Sequence, residues 1–287
     1  MNPALLLLAD SRLPAGGHAH SGGTEQAVTS GAVHDVPSLA RFLRGRLHTA
    51  GTVAAALAAA ACTQAATSPS TPLPAATSAA GSPPATAPPR IAPRAAAPPG
   101  VTMPQRAGGP DAGETAFESV VTDAGGGVGF PWVLLDAEAD ARTAAPAQRE
   151  ASRTQGRLLL RVARRVWPSP VLDELARDVP NPHHPIVLGV AAHAAGGTPE
   201  EAAMAAAYHA ISGPATAAVR LLGLDPVAVH GLLAELTPDL TAVAAQAHLA
   251  AAGAHPHLWG TLPAYSSPAL DLLAEQHARA QVRLFVS

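Results

Sequence analysis

Histidine is the residue type in this chain best equipped for chemistry. Several of its 13 copies fall into close pairs: His18 with His20, His183 with His184, and His255 with His257. Neutral imidazole suits nickel and related divalent metals. Adjacent or alternating imidazoles without carboxylates or thiolates at ligand spacing do not build a tight site by themselves. They allow transient contact with a divalent metal of that kind, and His20, in a glycine-rich loop, is best placed for it. No tightly bound cofactor and no firm metal site are expected. Ser21 beside His20 raises nucleophilic catalysis, yet no G-x-S-x-G elbow surrounds it, and a triad needs strand-held geometry. All 18 basic residues are arginine. A P-loop lysine and a Schiff-base amine are therefore both out of reach. The chain is expected not to be an enzyme, and any nucleotide hydrolysis belongs to a neighbour.

Composition limits the scaffold that holds these groups. Of 287 residues, 48% are hydrophobic but only 3% aromatic, with alanine supplying much of the apolar count. Alanine favours helix, and the aromatic and β-branched residues of strands are scarce. An all-α fold follows. A formal net charge of −3 gives no electrostatic case for nucleic acid or an anionic membrane. The longest apolar run, Val53 to Ala61, is too short to span a bilayer. Cys62 is the only cysteine, which removes an intrachain disulfide and fits a reducing, cytoplasmic setting.

The elements can be read in order. A short apolar helix around Leu5 to Leu8 meets a loop with Pro14, Gly16 and Gly17. A second helix spans about 21–30, with Ser21 as its start and Glu25 in its first turn. Another follows Pro37, and an alanine-rich helix runs to Cys62. Residues from Thr63 to about 130 are dominated by Pro, Ala, Ser, Thr and Gly, and read as a disordered, partly polyproline insertion. A long helix is expected from Pro146 to Trp167. It carries a stripe of Arg149, Arg153, Arg157 and Arg161, with Ser152 and Gly156 four apart to admit a close neighbour. Cap-plus-proline signals then place helices near 185–195, 199–211, 214–223, 226–236 and 238–252, with a last one from Pro268 to about Arg283. Short connections make this a single antiparallel multi-helix bundle.

Four segments, in order, resemble the UreF family of urease accessory proteins. Leu8 to Glu25 is similar to the family's L-x-D-S-x-x-P-x-G-[GS]-[FY]-x-x-S-x-G-[LI]-E signature. Arg149 to Leu159 resembles its R-x-x-S-x-x-x-G-x-x-[LF]-L helix. His184 to Gly189, Tyr208 and Arg220-Leu221 resemble its H-x-x-V-x-G…Y…R-L succession, and His277 to Ser287 its H-x-x-x-x-R-L-F-x-S ending. His18 stands where the family usually has Phe or Tyr, Thr24 where it has Leu or Ile, and the insertion has no usual counterpart.

The resemblance implies a dimeric helical scaffold for metallocentre assembly. With UreD (also called UreH) and the GTPase UreG, such a scaffold supports nickel insertion into the urease apoprotein. It implies a partner surface at Pro14, Gly16, Gly17, His20, Ser21 and Glu25. Arg149, Ser152, Gly156, Tyr208 and Arg220 would form helix, dimer or partner faces. Arg283, Leu284, Phe285 and Ser287 would be a tail that orders on UreD. The alternative is a stand-alone nickel-binding chaperone using surface histidines.

Overall fold

Proline in the first turn opens most of the helices, and at four of them the N-cap side chain accepts a backbone N–H. The computed structural model describes residues 2–10, 13–14, 19–68, 130–253, 256 and 258–285. Its elements are α1 (Pro3–Ala9), α2 (Thr24–Thr29), α3 (Val36–Arg46), a π-helical turn (Leu47–Gly51), α4 (Thr52–Thr67), α5 (Pro131–Ala141) and α6 (Pro146–Val166). They continue with α7 (Pro170–Asp178), α8 (His184–Ala194), α9 (Pro199–Leu222), α10 (Pro226–Glu235), α11 (Thr237–Ala252), a 3-10 turn (Trp259–Thr261) and α12 (Pro268–Arg279). No strand occurs among the described residues. Capping boxes fix two starts: Asp35 with Ser38 opens α3, and Thr198 with Glu201 opens α9.

The centre of the bundle is α4, packed on α8, α9 and α11. Its residues from Ala55 to Cys62 are all buried. Small side chains let these helices approach until backbone meets backbone. A Cβ on Gly189 of α8 would lie 2.2 Å from the Ala58 carbonyl oxygen of α4. Leucines and two fully buried tryptophans, Trp132 and Trp259, fill the remaining space. Burial pushes the Cys62 thiol up to about 12, so it behaves as a small apolar side chain.

Four boundaries differ from the sequence expectation. First, α4 continues to Thr67, because Ala65 still faces the core. Residues 63–67 therefore belong to the bundle, and the expected insertion otherwise lies almost wholly outside the described residues. Second, α9 does not break at Pro214. That proline has no N–H to give the Ala210 carbonyl, which normally ends or kinks a helix. Here Arg46 supplies the missing donor, its Nε lying 2.8 Å from Ala210 O. Third, α2 begins at Thr24, and its cap is Gly23 at φ 89°, not Ser21. Fourth, α12 stops at Arg279.

The π turn joins α3 and α4 into one apolar run, Val36–Thr67, long enough to cross a membrane. Two-thirds of its most apolar window, 67%, is buried inside the bundle.

Candidate functional site

The N-terminal corner and the carboxyl tail meet at Glu25. Its carboxylate accepts the backbone N–H of Leu284 at 2.7 Å and of Phe285 at 3.0 Å, with His277 Nδ1 3.7 Å away. Phe285 is 5% exposed and lies under Arg220, whose guanidinium carbon is 4.9 Å from the ring centroid. The tail is thus packed on its own chain through Phe285, rather than left for a partner to order. Val282 and Leu284 point outward and Arg283 is exposed. Ser21 is fully buried, and its hydroxyl has no hydrogen-bond partner among the described residues. Thr24 is buried as well and donates to the Pro214 carbonyl at 3.3 Å. Pro14 is exposed, while Gly16, Gly17, His18 and Ser287 lie outside the described residues.

Beneath α6 lies a charged network. Arg153 donates Nη1 to Asp136 at 2.9 Å and Nη2 to Asp140, and also reaches the Asn181 carbonyl. Asp136 accepts the His183 backbone N–H at 2.8 Å, and Asp140 meets His183 Nε2 at 2.9 Å. Ser152 faces His183 Nδ1 at 3.0 Å and accepts the His184 N–H at 3.2 Å. One assignment satisfies every group: a neutral His183 donates from Nε2 to Asp140 and accepts the Ser152 hydroxyl proton at Nδ1. Burial drives His183 below its ordinary value, outweighing the neighbouring carboxylates. Asp140 stays below the usual carboxylate range, because His183 and Arg153 overcome the effect of burial.

Asp136, Asp140 and His183 offer ligand atoms all within 4.8 Å of one another, a grouping that could hold a metal ion. The residues do not fit that use. Arg153 already supplies the cation to both carboxylates, and a metal would have to displace its guanidinium. The network instead seats the turn before α8. Gly156 serves the same turn: a Cβ there would sit 1.9 Å from the Pro182 carbonyl oxygen. Ser152 and Gly156 were expected to shape interior and dimer faces, and within this chain they pack against the turn before α8. Arg149, from the same stripe, closes the end of α5 by donating to Thr143 O at 2.7 Å.

Next to the network, three other histidines form a different environment. His20, His184 and His209 line a cavity of about 150 Å³ together with Asp10, Arg46 and Gln155. The His184 and His209 rings are 5.8 Å apart, with Tyr208 beside His209 at 6.4 Å. Burial, aided by its histidine neighbours, pushes His184 down to about 3, and burial also lowers His209. Both are neutral at physiological pH. The adjacent pair His183–His184 is therefore divided, one ring in the ion network and the other in the cavity. His255 and His257 lie outside the described residues. Arg46 also lines a larger groove of about 720 Å³, shared with Ser267, Glu275 and His277.

The sequence profile described as UreF matches residues 131–237. Similarity to named proteins runs much further. Urease accessory protein UreF of Mycolicibacterium vanbaalenii is 36% identical over 283 residues, covering 99% of this chain and 97% of that protein. The protein of the same name from Mycobacterium sp. (strain JLS) is 37% identical over 287 residues, with the same coverage. The one from Mycobacterium tuberculosis (strain H37Rv) is 35% identical over 283 residues.

The chain belongs to the UreF family.

Within this UreF chain, the segments that pointed to the family do not gather into one site. Glu25, Arg220 and Phe285 come together at the tail. Ser152, Gly156 and His183 come together under α6. His20, His184 and His209 surround the cavity. Three participants were missed. Asp136 and Asp140, four apart on α5, carried a readable signal as a paired acid face. Arg46 carried none, since Arg41, Arg44 and Arg46 cluster in a turn where periodicity cannot say which one turns inward.

Proposed function

We propose that the chain is a non-enzymatic scaffold of urease maturation. With UreD (UreH) and the GTPase UreG, it would support delivery of nickel to the urease apoprotein, working as a homodimer in the cytoplasm. One observation carries this reading: identity of 34–37% along nearly the whole length of proteins named urease accessory protein UreF. A lysine-free chain has no amine for phosphate or Schiff-base chemistry, which agrees with a holding role.

Two apolar surfaces suit partner proteins. On α1, Leu6 and Leu7 are 61% and 54% exposed, and on the tail Val282 and Leu284 are 88% and 75% exposed. The tail pair sits beside the Glu25 clamp, so its backbone is already ordered for docking. We assign UreD to this tail surface and nickel, as cargo, to transient contact with the neutral imidazoles around His20.

Reconstitution of urease from apoprotein, nickel, UreD and UreG, with and without this chain, tests the proposal. Activation that requires the chain supports it, and equal activation without the chain ends it. For the tail, the double change Val282→Ser and Leu284→Ser should abolish capture of UreD with the circular-dichroism spectrum unchanged. Undiminished capture would remove the tail from the interface.

A further inference from the structure

Arg46 is a half-buried cation with no anion among the described residues. Its Nε is committed to the Ala210 carbonyl, which Pro214 leaves without a helical donor. Its Nη1 and Nη2 make no hydrogen bond or ion pair with the described residues. Burial holds its pKa down to about 10, so the guanidinium remains charged at neutral pH.

The acids around it are engaged elsewhere or out of reach. In the groove, Glu275 accepts the Ala147 N–H and Glu150 pairs with Arg157, while Asp271 makes no ion pair with Arg46. In the smaller cavity, Asp10 has its own partners and does not bear on Arg46. A charge shielded from bulk water is ordinarily paired in folded proteins, because leaving it uncompensated is unfavourable. Gly22, at φ 60°, makes room for the group, since a Cβ there would come within 3.2 Å of Arg46 Nη2. The groove also presents His277 Nε2 and Ser267 Oγ, both buried and without a partner among the described residues.

We propose that the groove is a carboxylate-binding site with Arg46 at its base. With Nε occupied, the free edge of the guanidinium is the parallel Nη1/Nη2 pair, whose two N–H vectors match the two oxygens of a carboxylate. Neutral imidazoles of His184 and His209 line the same space and can donate N–H without adding a competing charge. The carboxylate has two sources, a small free acid or an acidic side chain on a protein segment lying in the groove. The second source rests on the scaffold reading above, and the first is independent of it.

Thermal unfolding of the full chain is followed against sodium acetate, with sodium chloride at matched ionic strength as control. It is run for the wild type, Arg46→Met and Arg46→Lys. In parallel, capture of UreD is compared for the same three proteins. A saturable rise in Tm with acetate in the wild type, absent in Arg46→Met and weaker in Arg46→Lys, establishes the free-acid source. Indifference to acetate, together with capture by Arg46→Met weakened about tenfold or more, establishes the protein-borne source. Indifference to acetate with capture equal in all three overturns the proposal and leaves the scaffold reading standing. Indifference to acetate in a wild type that captures no UreD sinks both. If Arg46→Met does not fold, wild type against Arg46→Lys decides on the same readouts.

Discussion

Two arginines, Arg153 of α6 and Arg46 of α3, show how differently one residue type can be used. Arg153 is surrounded by matched partners: two carboxylates, a backbone carbonyl, and through them a histidine and a serine. Arg46 has one carbonyl and two idle nitrogens facing a groove. A closed network spends its interactions on holding the chain, while an open one keeps them for something arriving from outside. The difference teaches that burial of a charge alone does not mark a functional site. What marks it is a shielded charge left without compensation.

That contrast can be broken by mutation, starting where the effect is largest. Gly156→Ala drives a methyl into the Pro182 carbonyl and should cost about 3 kcal/mol in urea unfolding. A loss below about 1 kcal/mol would mean that the turn before α8 is free to move. Asp136→Asn removes one of the two charges facing Arg153 and weakens the acceptor for the His183 N–H. A loss of about 2–3 kcal/mol is expected.

Acid should act on the histidine region ahead of the carboxylates. His183, His184 and His209 have folded values below the unfolded value near 6.5, so the unfolded chain takes up protons first. Their contribution is complete above pH 6.5 and is lost as pH falls, for His184 down to about 3. The urea midpoint should therefore decline between pH 7 and 5, where carboxylates are still ionised in both states. His184→Gln should flatten that slope, and an unchanged slope would place the loss elsewhere.

The smallest effect is expected at Arg46. Replacing it by Met removes an uncompensated charge and one hydrogen bond, and stability should stay within about 0.5 kcal/mol of wild type or rise. A cost matching that of Asp136→Asn would show that Arg46 is as structural as Arg153, and the comparison would fail.

Local signals carried much of the architecture. Thr198 and Asp225 with their following prolines placed helix starts within a residue or two, because caps act through neighbours in sequence. The alanine-rich stretch announced a close-packed core helix, yet its end at Thr67 depended on what Ala65 touches. The continuity of α9 through Pro214 was illegible, since the donor that repairs it lies 164 residues away. Glu25 was visible as an acid at a helix start. Its grip on the tail was not, because 259 residues separate the partners. Arg153 appeared as one of a surface stripe, and only tertiary packing turned it toward α5.

The proline in α9 reaches beyond its own helix. By withholding an amide proton it leaves a carbonyl that the guanidinium from α3 can claim, and that bond sets how the arginine is oriented. Pro214→Ala would return the carbonyl to its own backbone and let the side chain swing away. One missing hydrogen thus aims a positive group 168 positions earlier in the chain. Sequence drift at either residue would then constrain the other, although the two side chains need never exchange a bond.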